Sequence, residues 1–280
     1  MITAEALYAN LNDGYTGNDP FILSVRSAEA YEAGHIPGAV NIAWRSVFTD
    51  ENVSLLPKNK QIVVYCYTGH TASQTTAMLN TLGYDAVCLK WGMASWTTNT
   101  TVAPGYYDRS SIGEFPYVTG AEPGTWSGTR SGGTRCGGDD PAPTTSGDTG
   151  SSDGSLTGIA NEYMASGKPP AIPASSLQDN LNDGDDANDP FILSIRSSAQ
   201  YAIGHIPGAV NIGFKTLFTD ENLTKLPDDD QQIVVVCYTG HTASQATALL
   251  NMNGYNATAM KWGMTGWTTD TAVAPSYYDR

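Results

Sequence analysis

Short apolar runs alternate along the chain with stretches of helical periodicity. Phe21–Val25 reads as a strand, followed by a helical turn over Ala28–Ala33 that ends at Gly34. Ile62–Cys66 (IVVYC) is a nearly continuous apolar run, the pattern of a strand buried on both faces of a parallel sheet. The spacing turns helical from Thr71 to Leu82 and stops at Gly83, a suitable residue just past a helix end. Ala86–Leu89 is a further strand. Strand and helix in alternation predict an α/β fold: a small parallel sheet with helices on both sides.

The whole pattern occurs twice. NDPFILSVRS at 18–27 returns as NDPFILSIRS at 188–197, and GHIPGAVNI at 34–42 returns unchanged at 204–212. CYTGHTASQ at 66–74 returns unchanged at 237–245, and KWGM at 90–93 returns at 261–264. A period this long indicates duplicated domains. The expected division is a first domain at 1–109, a tether at 110–158 and a second domain at 159–280 with a lead-in at 159–171. The tether is rich in Gly, Ser, Thr, Asp and Pro, too poor in apolar surface to offset its ordering entropy. Its first part, IGEFPYVTG, is expected to dock on the first domain. IANEYMASGKPPAIPA at 159–174 reads as a short helix and a Pro-rich lead-in with no counterpart in the first repeat.

Charge narrows the function. The formal net charge is −14. An acidic chain without a basic surface is a poor match for nucleic acid or for anionic membranes. No apolar run reaches the roughly 18 residues that a spanning helix needs, and the start, MITAEALYANLNDG, shows no basic segment followed by an apolar one. The acidic stretch DGDDANDP at 183–190 has oxygen ligands at roughly calcium-like spacing but lacks the glycine and closing glutamate of an EF-hand loop. No metal and no cofactor are expected.

Four cysteines are present: Cys66, Cys88, Cys136 and Cys237. They form no CxxC pair and no zinc-type cluster. Cys88 has Ala259 at its repeat position, which reads as a small buried hydrophobe; Cys136 lies in the tether. Cys66 and Cys237 end a buried strand just before a helix, where open α/β sheets bind ligands. The loop that follows, with Gly69 or Gly240 at its centre, can turn successive N–H groups inward as an anion nest, and the helix N-terminus adds partial positive charge. Both favour thiolate, the nucleophilic form. Thr68, Thr71 and Ser73, with Thr239, Thr242 and Ser244, offer hydroxyl donors. His70 and His241 either bond the sulfur or steer a substrate, or else face solvent. His35 and His205 are read as shaping the turn before Pro37 and Pro207. Arg26 and Arg196 pair with a carboxylate, line the site or serve structure alone. Lys90 and Lys261 are the nearest candidates for a cation, with surface lysine as the alternative reading.

Together, the strand ending SVR or SIR, AYEAGHIPGAVNIAW, IVVYC with its loop CYTGHTAS, and LKWGMASW resemble the tandem rhodanese-like proteins of the sulfurtransferase family. The resemblance covers roughly 1–109 and 172–280. It implies a five-stranded parallel sheet flanked by helices in each repeat. It also implies a two-step transfer: the loop thiolate takes a sulfane sulfur as a persulfide, then yields it to a thiophilic acceptor. Cys66 and Cys237 carry over as the persulfide positions, and Tyr67, Thr68, Gly69, His70 and Thr71, with Tyr238, Thr239, Gly240, His241 and Thr242, as the sulfur cradle. Both repeats are expected to work. The partners implied are a small sulfur donor (thiosulfate, polysulfide or persulfide), a thiol or cyanide acceptor and, as an option, a sulfur-accepting protein. The acidic, lysine-poor chain resembles exported members, so a periplasmic or secreted location is expected over a cytoplasmic one.

Three departures qualify the resemblance. Ser24 and Ser194 stand where many members have Asp before the Val-Arg pair. Thr71 and Thr242 stand where many close the loop with Arg. Trp91-Gly92 and Trp262-Gly263 replace paired glycines. Without a loop arginine, a charge-assisted hold on the thiosulfate dianion is weaker, which favours polysulfide or a protein persulfide. A non-catalytic sulfur carrier is the alternative reading. A phosphatase or arsenate reductase is more remote, because phosphoryl transfer needs strong positive charge in the loop.

Overall fold

In a computed structural model, residues 1–123, 154–227 and 230–275 are described. The first repeat runs α1 (Ala4–Leu11), β1 (Phe21–Ser24), α2 (Ala28–Glu32), β2 (Val40–Asn41), α3 (Asp50–Val53), β3 (Ile62–Tyr65), α4 (His70–Thr81), β4 (Ala86–Cys88) and α5 (Met93–Trp96). Then come α6 (Leu156–Ala165), β5 (Ala171–Ile172), α7 (Ala174–Leu181), β6 (Phe191–Ser194), α8 (Ser198–Ile203), β7 (Val210–Asn211), α9 (Asp220–Leu223), β8 (Ile233–Val236), α10 (His241–Met252) and β9 (Ala257–Met260).

Each repeat builds its own parallel sheet, in the order β2-β1-β3-β4 for the first and β5-β9-β8-β6-β7 for the second. The second has the expected five strands. In the first, the fifth position is held by a single parallel bridge, Ile2 to Leu89. Ile2 donates to the Cys88 carbonyl at 3.0 Å, and its own carbonyl accepts from Lys90 at 2.9 Å. The edge is thus present as one residue rather than as a strand.

The central strands show why an uninterrupted apolar run was needed. Ile62 and Val64 of β3 pack into one cluster with α4, while Val63 and Tyr65 pack into another with α1. β8 repeats this, with Ile233 and Val235 on one face and Val234 and Val236 on the other. Every one of these side chains is buried. The strand ends sit at the centre of the fold, and both cysteine loops start there.

The two repeats pack through α4 and α10. The helical stripe read from sequence is apolar on one side only, yet α4 also buries His70, Ser73, Gln74, Thr75 and Thr76. That second buried face meets the other repeat.

The flanking segments cross over. The sequence IGEFPYVTG lies on the second repeat, not on the first as expected. Phe115 N–H donates to the Trp267 carbonyl at 3.1 Å, Trp267 Nε1–H donates to the Pro116 carbonyl at 2.8 Å, and Val118 and His205 exchange backbone hydrogen bonds at 2.9 Å. An apolar residue, Phe115, against the fully buried Trp267 explains the choice. Conversely, α6 precedes the second repeat but seats Ala160, Tyr163 and Met164 in the first repeat's core. Tyr163 OH donates to Gln74 Oε1 at 2.9 Å, and Arg45 Nη1 donates to the Met164 carbonyl at 2.5 Å. The remaining tether, with Cys136, lies outside the described residues.

This crossing predicts that Tyr163→Ala loosens the first repeat. Truncating a buried aromatic costs about 3–5 kcal/mol. Hydrogen exchange should accelerate in Ile62–Tyr65 more than in Ile233–Val236; the opposite order would assign α6 to the second repeat.

Candidate active site

Gly69 and Gly240 precede α4 and α10 as N-caps and supply no capping side chain. Their backbone N–H groups turn instead to sulfur. Gly69 N–H donates to Cys66 Sγ at 3.1 Å; Gly240 and Ala243 N–H donate to Cys237 Sγ at 3.2 and 3.3 Å. Such a turn needs left-handed backbone angles, and φ is +90° at Gly69 and +81° at Gly240. The base of each loop is tied down by the KWGM turn, with Met93 N–H on the Cys66 carbonyl at 2.9 Å and Met264 N–H on the Cys237 carbonyl at 2.8 Å.

The anion nest is therefore present, but at Cys237 burial opposes it. Burial pushes the Cys237 thiol up from its ordinary value, and the lowering effect of the Ala243, Thr239, Gly240 and Thr242 amides does not cancel it. The thiolate-favouring expectation fails for Cys237 because desolvation outweighs four amide dipoles. Cys88 is buried beneath the first loop, accepts from Ser73 Oγ at 3.3 Å, and is pushed up to about 12 by burial. It stays a neutral thiol, as its structural reading implied.

Two of the readings of the loop histidines, a bond to sulfur and a solvent-facing ring, do not hold, while His70 lines the cavity beside Cys66. His70 and His241 are buried, and neither bonds a cysteine sulfur. His70 Nδ1 lies 3.0 Å from Thr68 Oγ1, and His241 Nδ1 lies 2.9 Å from Thr239 Oγ1. Their Nε2 atoms reach into the other repeat. Trp262 N–H donates to His70 Nε2 at 3.2 Å, and Trp91 N–H donates to His241 Nε2 at 3.3 Å. For His70 this network assigns the neutral ring with the proton on Nδ1. The Thr68 carbonyl also lies 3.1 Å from His241 Nε2. Only a protonated Nε2 could donate to it, so that approach competes with the Trp91 bond. The two imidazoles stack with centroids 5.4 Å apart.

The same clasp accounts for the tryptophans in place of glycines. Trp91 and Trp262 both hold φ +65°, an uncommon region for a side chain of that size. Their N–H groups are held by the histidines, and their rings pack against each other and against Tyr107. A Cβ at Gly69 would collide with His241 Nε2, and one at Gly240 with His70 Nε2. The loop glycines thus serve both their own turn and the partner's ring.

A cavity of roughly 410 Å³ opens beside Cys66, lined among others by Arg26, Trp44, Thr68, His70 and Lys261. Of the candidates, Tyr67 and Thr71 also line it. The expected adjacency of Lys90 to Cys66 is not what forms: the lysine in this cavity is Lys261, from the other repeat, because the KWGM turn reaches across the clasp. Lys90 correspondingly acts on His241, whose pKa its charge helps to lower. Arg26 donates to the Val102 and Gly34 carbonyls at 3.3 and 2.6 Å, and Arg196 makes the same pair to Val273 and Gly204 at 3.4 and 2.5 Å. Among the described residues, neither pairs with a carboxylate. Tyr238 lies under the Arg196 guanidinium at 5.2 Å, as Tyr67 does under Arg26 at 5.4 Å. Of the candidate hydroxyls, Thr68 and Thr239 meet histidine, Ser73 donates to Cys88, Ser244 Oγ is buried without a partner, and Thr71 lines the cavity beside Cys66. Trp44 was not singled out from sequence, although it ends the GHIPGAVNIAW segment; Phe214 replaces it in the second repeat.

Two further readings resolve locally. His35 and His205 accept no ligand role here: each Nδ1 lies 2.9 Å from the carbonyl of Tyr31 or Tyr201 and each ring stacks on that tyrosine, fixing the turn. The acidic stretch forms a turn in which Asp183 accepts from Asp185 N–H and Asn188 Nδ2, both at 2.8 Å. Among the described residues, no group of three or more His, Cys, Asp or Glu is placed to hold a metal, and no helix is long and apolar enough to cross a membrane.

A model of the Rhodanese-like domain matches residues 3–99 and 173–270, more than half of the chain. The chain belongs to the rhodanese-like family. Thiosulfate sulfurtransferase PspE of Escherichia coli (strain K12) is 32% identical over 65 residues, 23% of this chain and 62% of PspE. The candidate sulfur carrier protein YrkF of Bacillus subtilis (strain 168) is 32% identical over 80 residues, 28% of this chain and 42% of YrkF. The chain thus spans less than two thirds of either relative. The solved Alr3790 protein of Anabaena sp. is 31% identical, over 34% of this chain and 74% of that one, with a TM-score of 0.31; membership rests on the domain match. The family and its named relatives support sulfur transfer as the general chemistry.

The buried histidines make the clasp acid-sensitive. Burial lowers His70 well below 6.5 and His241 to about 4. Below pH 6.5 the unfolded chain binds protons that the folded one refuses, so stability falls as the pH is lowered, with the His241 contribution running down to about 4. The urea midpoint should drop accordingly, and the paired variant His70→Asn/His241→Asn should flatten the drop. An unchanged slope in that variant would remove the histidines as its cause.

Proposed function

We propose that this chain moves sulfane sulfur through persulfides on Cys66 and Cys237. The supporting observation is the cavity beside Cys66, which joins a nucleophilic sulfur and an inward amide to positively charged side chains. The Cys66 thiol gives its proton to solvent, and the thiolate attacks the donor's terminal sulfur. A cysteine-sulfur bond forms, the donor's sulfur–sulfur bond breaks, and its electron pair leaves with the shortened donor, sulfite in the case of thiosulfate. The persulfide then loses its outer sulfur to a thiol or cyanide. Covalent relay splits one transfer into two easier displacements. Identical loops in both repeats support two working sites.

A carrier that forms the same persulfide and hands it to a partner protein is the second reading, favoured by the resemblance to YrkF. Phosphoryl transfer lacks support, because no arginine enters either loop.

Mass spectrometry after incubation with thiosulfate, and separately with polysulfide, should find one added sulfur atom on Cys66 and on Cys237, and none on the neutral Cys88. Cys66→Ser and Cys237→Ser should each remove one adduct only; loss of both in Cys66→Ser would contradict two sites. Because burial raises the Cys237 thiol, its rate should still climb beyond pH 9. Turnover with cyanide separates the enzyme from the carrier: adducts without turnover favour the carrier.

A further inference from the structure

Two cations from different repeats line the cavity beside Cys66: Arg26 and Lys261. They are not equally available. Arg26 Nη1 and Nη2 are committed to the Val102 and Gly34 carbonyls, and its Nε is buried without a partner. Lys261 Nζ makes no hydrogen bond or ion pair to any described residue, and its one neighbour of note is the Trp262 ring, 5.4 Å from Nζ to centroid. Its own backbone is fixed, since Lys261 N–H donates to the Ile172 carbonyl at 2.8 Å and the next residue's N–H is clasped by His70. A fixed stem, a half-buried position and an uncommitted ammonium are the properties of a ligand-holding group. Its charge is felt in the Cys66 loop, where it contributes to the lowering of His70.

We propose that Lys261, supplied by the second repeat, holds an anionic sulfur donor over Cys66, so that the cation missing from the loop comes from the other domain. The ligand class is a small anion carrying sulfane sulfur, such as thiosulfate or inorganic polysulfide. The inference rests on the persulfide reading above and adds the donor's charge and the residue that selects it. The chemistry needs no co-reactant: the donor's sulfane sulfur bonds to Sγ, and the departing anion keeps both the electron pair and its contact to the ammonium. The pseudo-symmetric arrangement assigns Lys90, which neighbours the clasped Trp91, to the Cys237 loop.

The test uses the full chain carrying Cys237→Ser, so that Cys66 is the one loop cysteine, and thiosulfate as the donor. The rate of sulfur addition to Cys66 is followed by mass spectrometry against thiosulfate concentration and ionic strength. Lys261→Met should raise the half-saturating thiosulfate concentration about tenfold or more and remove most of the salt dependence. Lys261→Arg should restore both. Lys225→Met, which removes an exposed lysine elsewhere on the second repeat, should match the parent. In the Cys66→Ser chain, Lys90→Met should produce the shift instead. Parent-like saturation and salt dependence in Lys261→Met would overturn the inference while leaving the persulfide reading intact. A parent that gains no sulfur at Cys66 from thiosulfate or polysulfide would overturn both.

Discussion

Two imidazoles, each at the start of a helix that follows a loop cysteine, accept backbone N–H groups of tryptophans in the opposite repeat. Around that exchange the constraints accumulate. The His70 ring must be neutral, because a proton on Nε2 would face the Trp262 N–H in a buried site. The loop residues beneath them must be glycine, because a Cβ would enter the partner's ring. The tryptophans must sit at positive φ to present their N–H groups, a strained choice that the surrounding aromatic packing supports. α4 and α10 bury small polar side chains where an independent domain would expose them.

The clasp also fixes the chemistry of the loops. By pinning Trp91 and Trp262, it carries the neighbouring lysines across the domain boundary. Each cysteine loop therefore lacks a cation of its own and acquires one from the other repeat. An arginine-free loop looked unsuited to thiosulfate when read as an isolated motif. In the folded chain the cavity beside Cys66 is electropositive on two sides. Duplication does more here than repeat a loop: it lines the cavity beside Cys66 with residues of both repeats.

Much of this was legible in the sequence for local reasons. The buried strands announce themselves by apolar runs, and the cysteine loops by their glycine and hydroxyl content at a strand end. Gly83 ends its helix at φ +82°, as its type implied. What escaped was non-local. A histidine in a polar loop gives no sign of which domain it bonds. IGEFPYVTG and α6 adjoin one repeat in sequence and pack on the other, because their aromatic side chains find matching pockets there. The first repeat's edge strand shrank to a bridge at Ile2, too short to leave any pattern. A signal for the clasp was present in the paired Trp-Gly steps, whose departure from the expected glycines recurs in both repeats.

The state of the two rings tests the central claim most directly. Nitrogen-15 NMR of the histidine side chains in the intact protein at neutral pH should show His70 with Nδ1 protonated and Nε2 a hydrogen-bond acceptor, and His241 neutral. Both should stay neutral as the pH falls through 6.5. A His70 that bears the proton on Nε2, or loop histidines that titrate like an exposed imidazole, would contradict a clasp between the repeats.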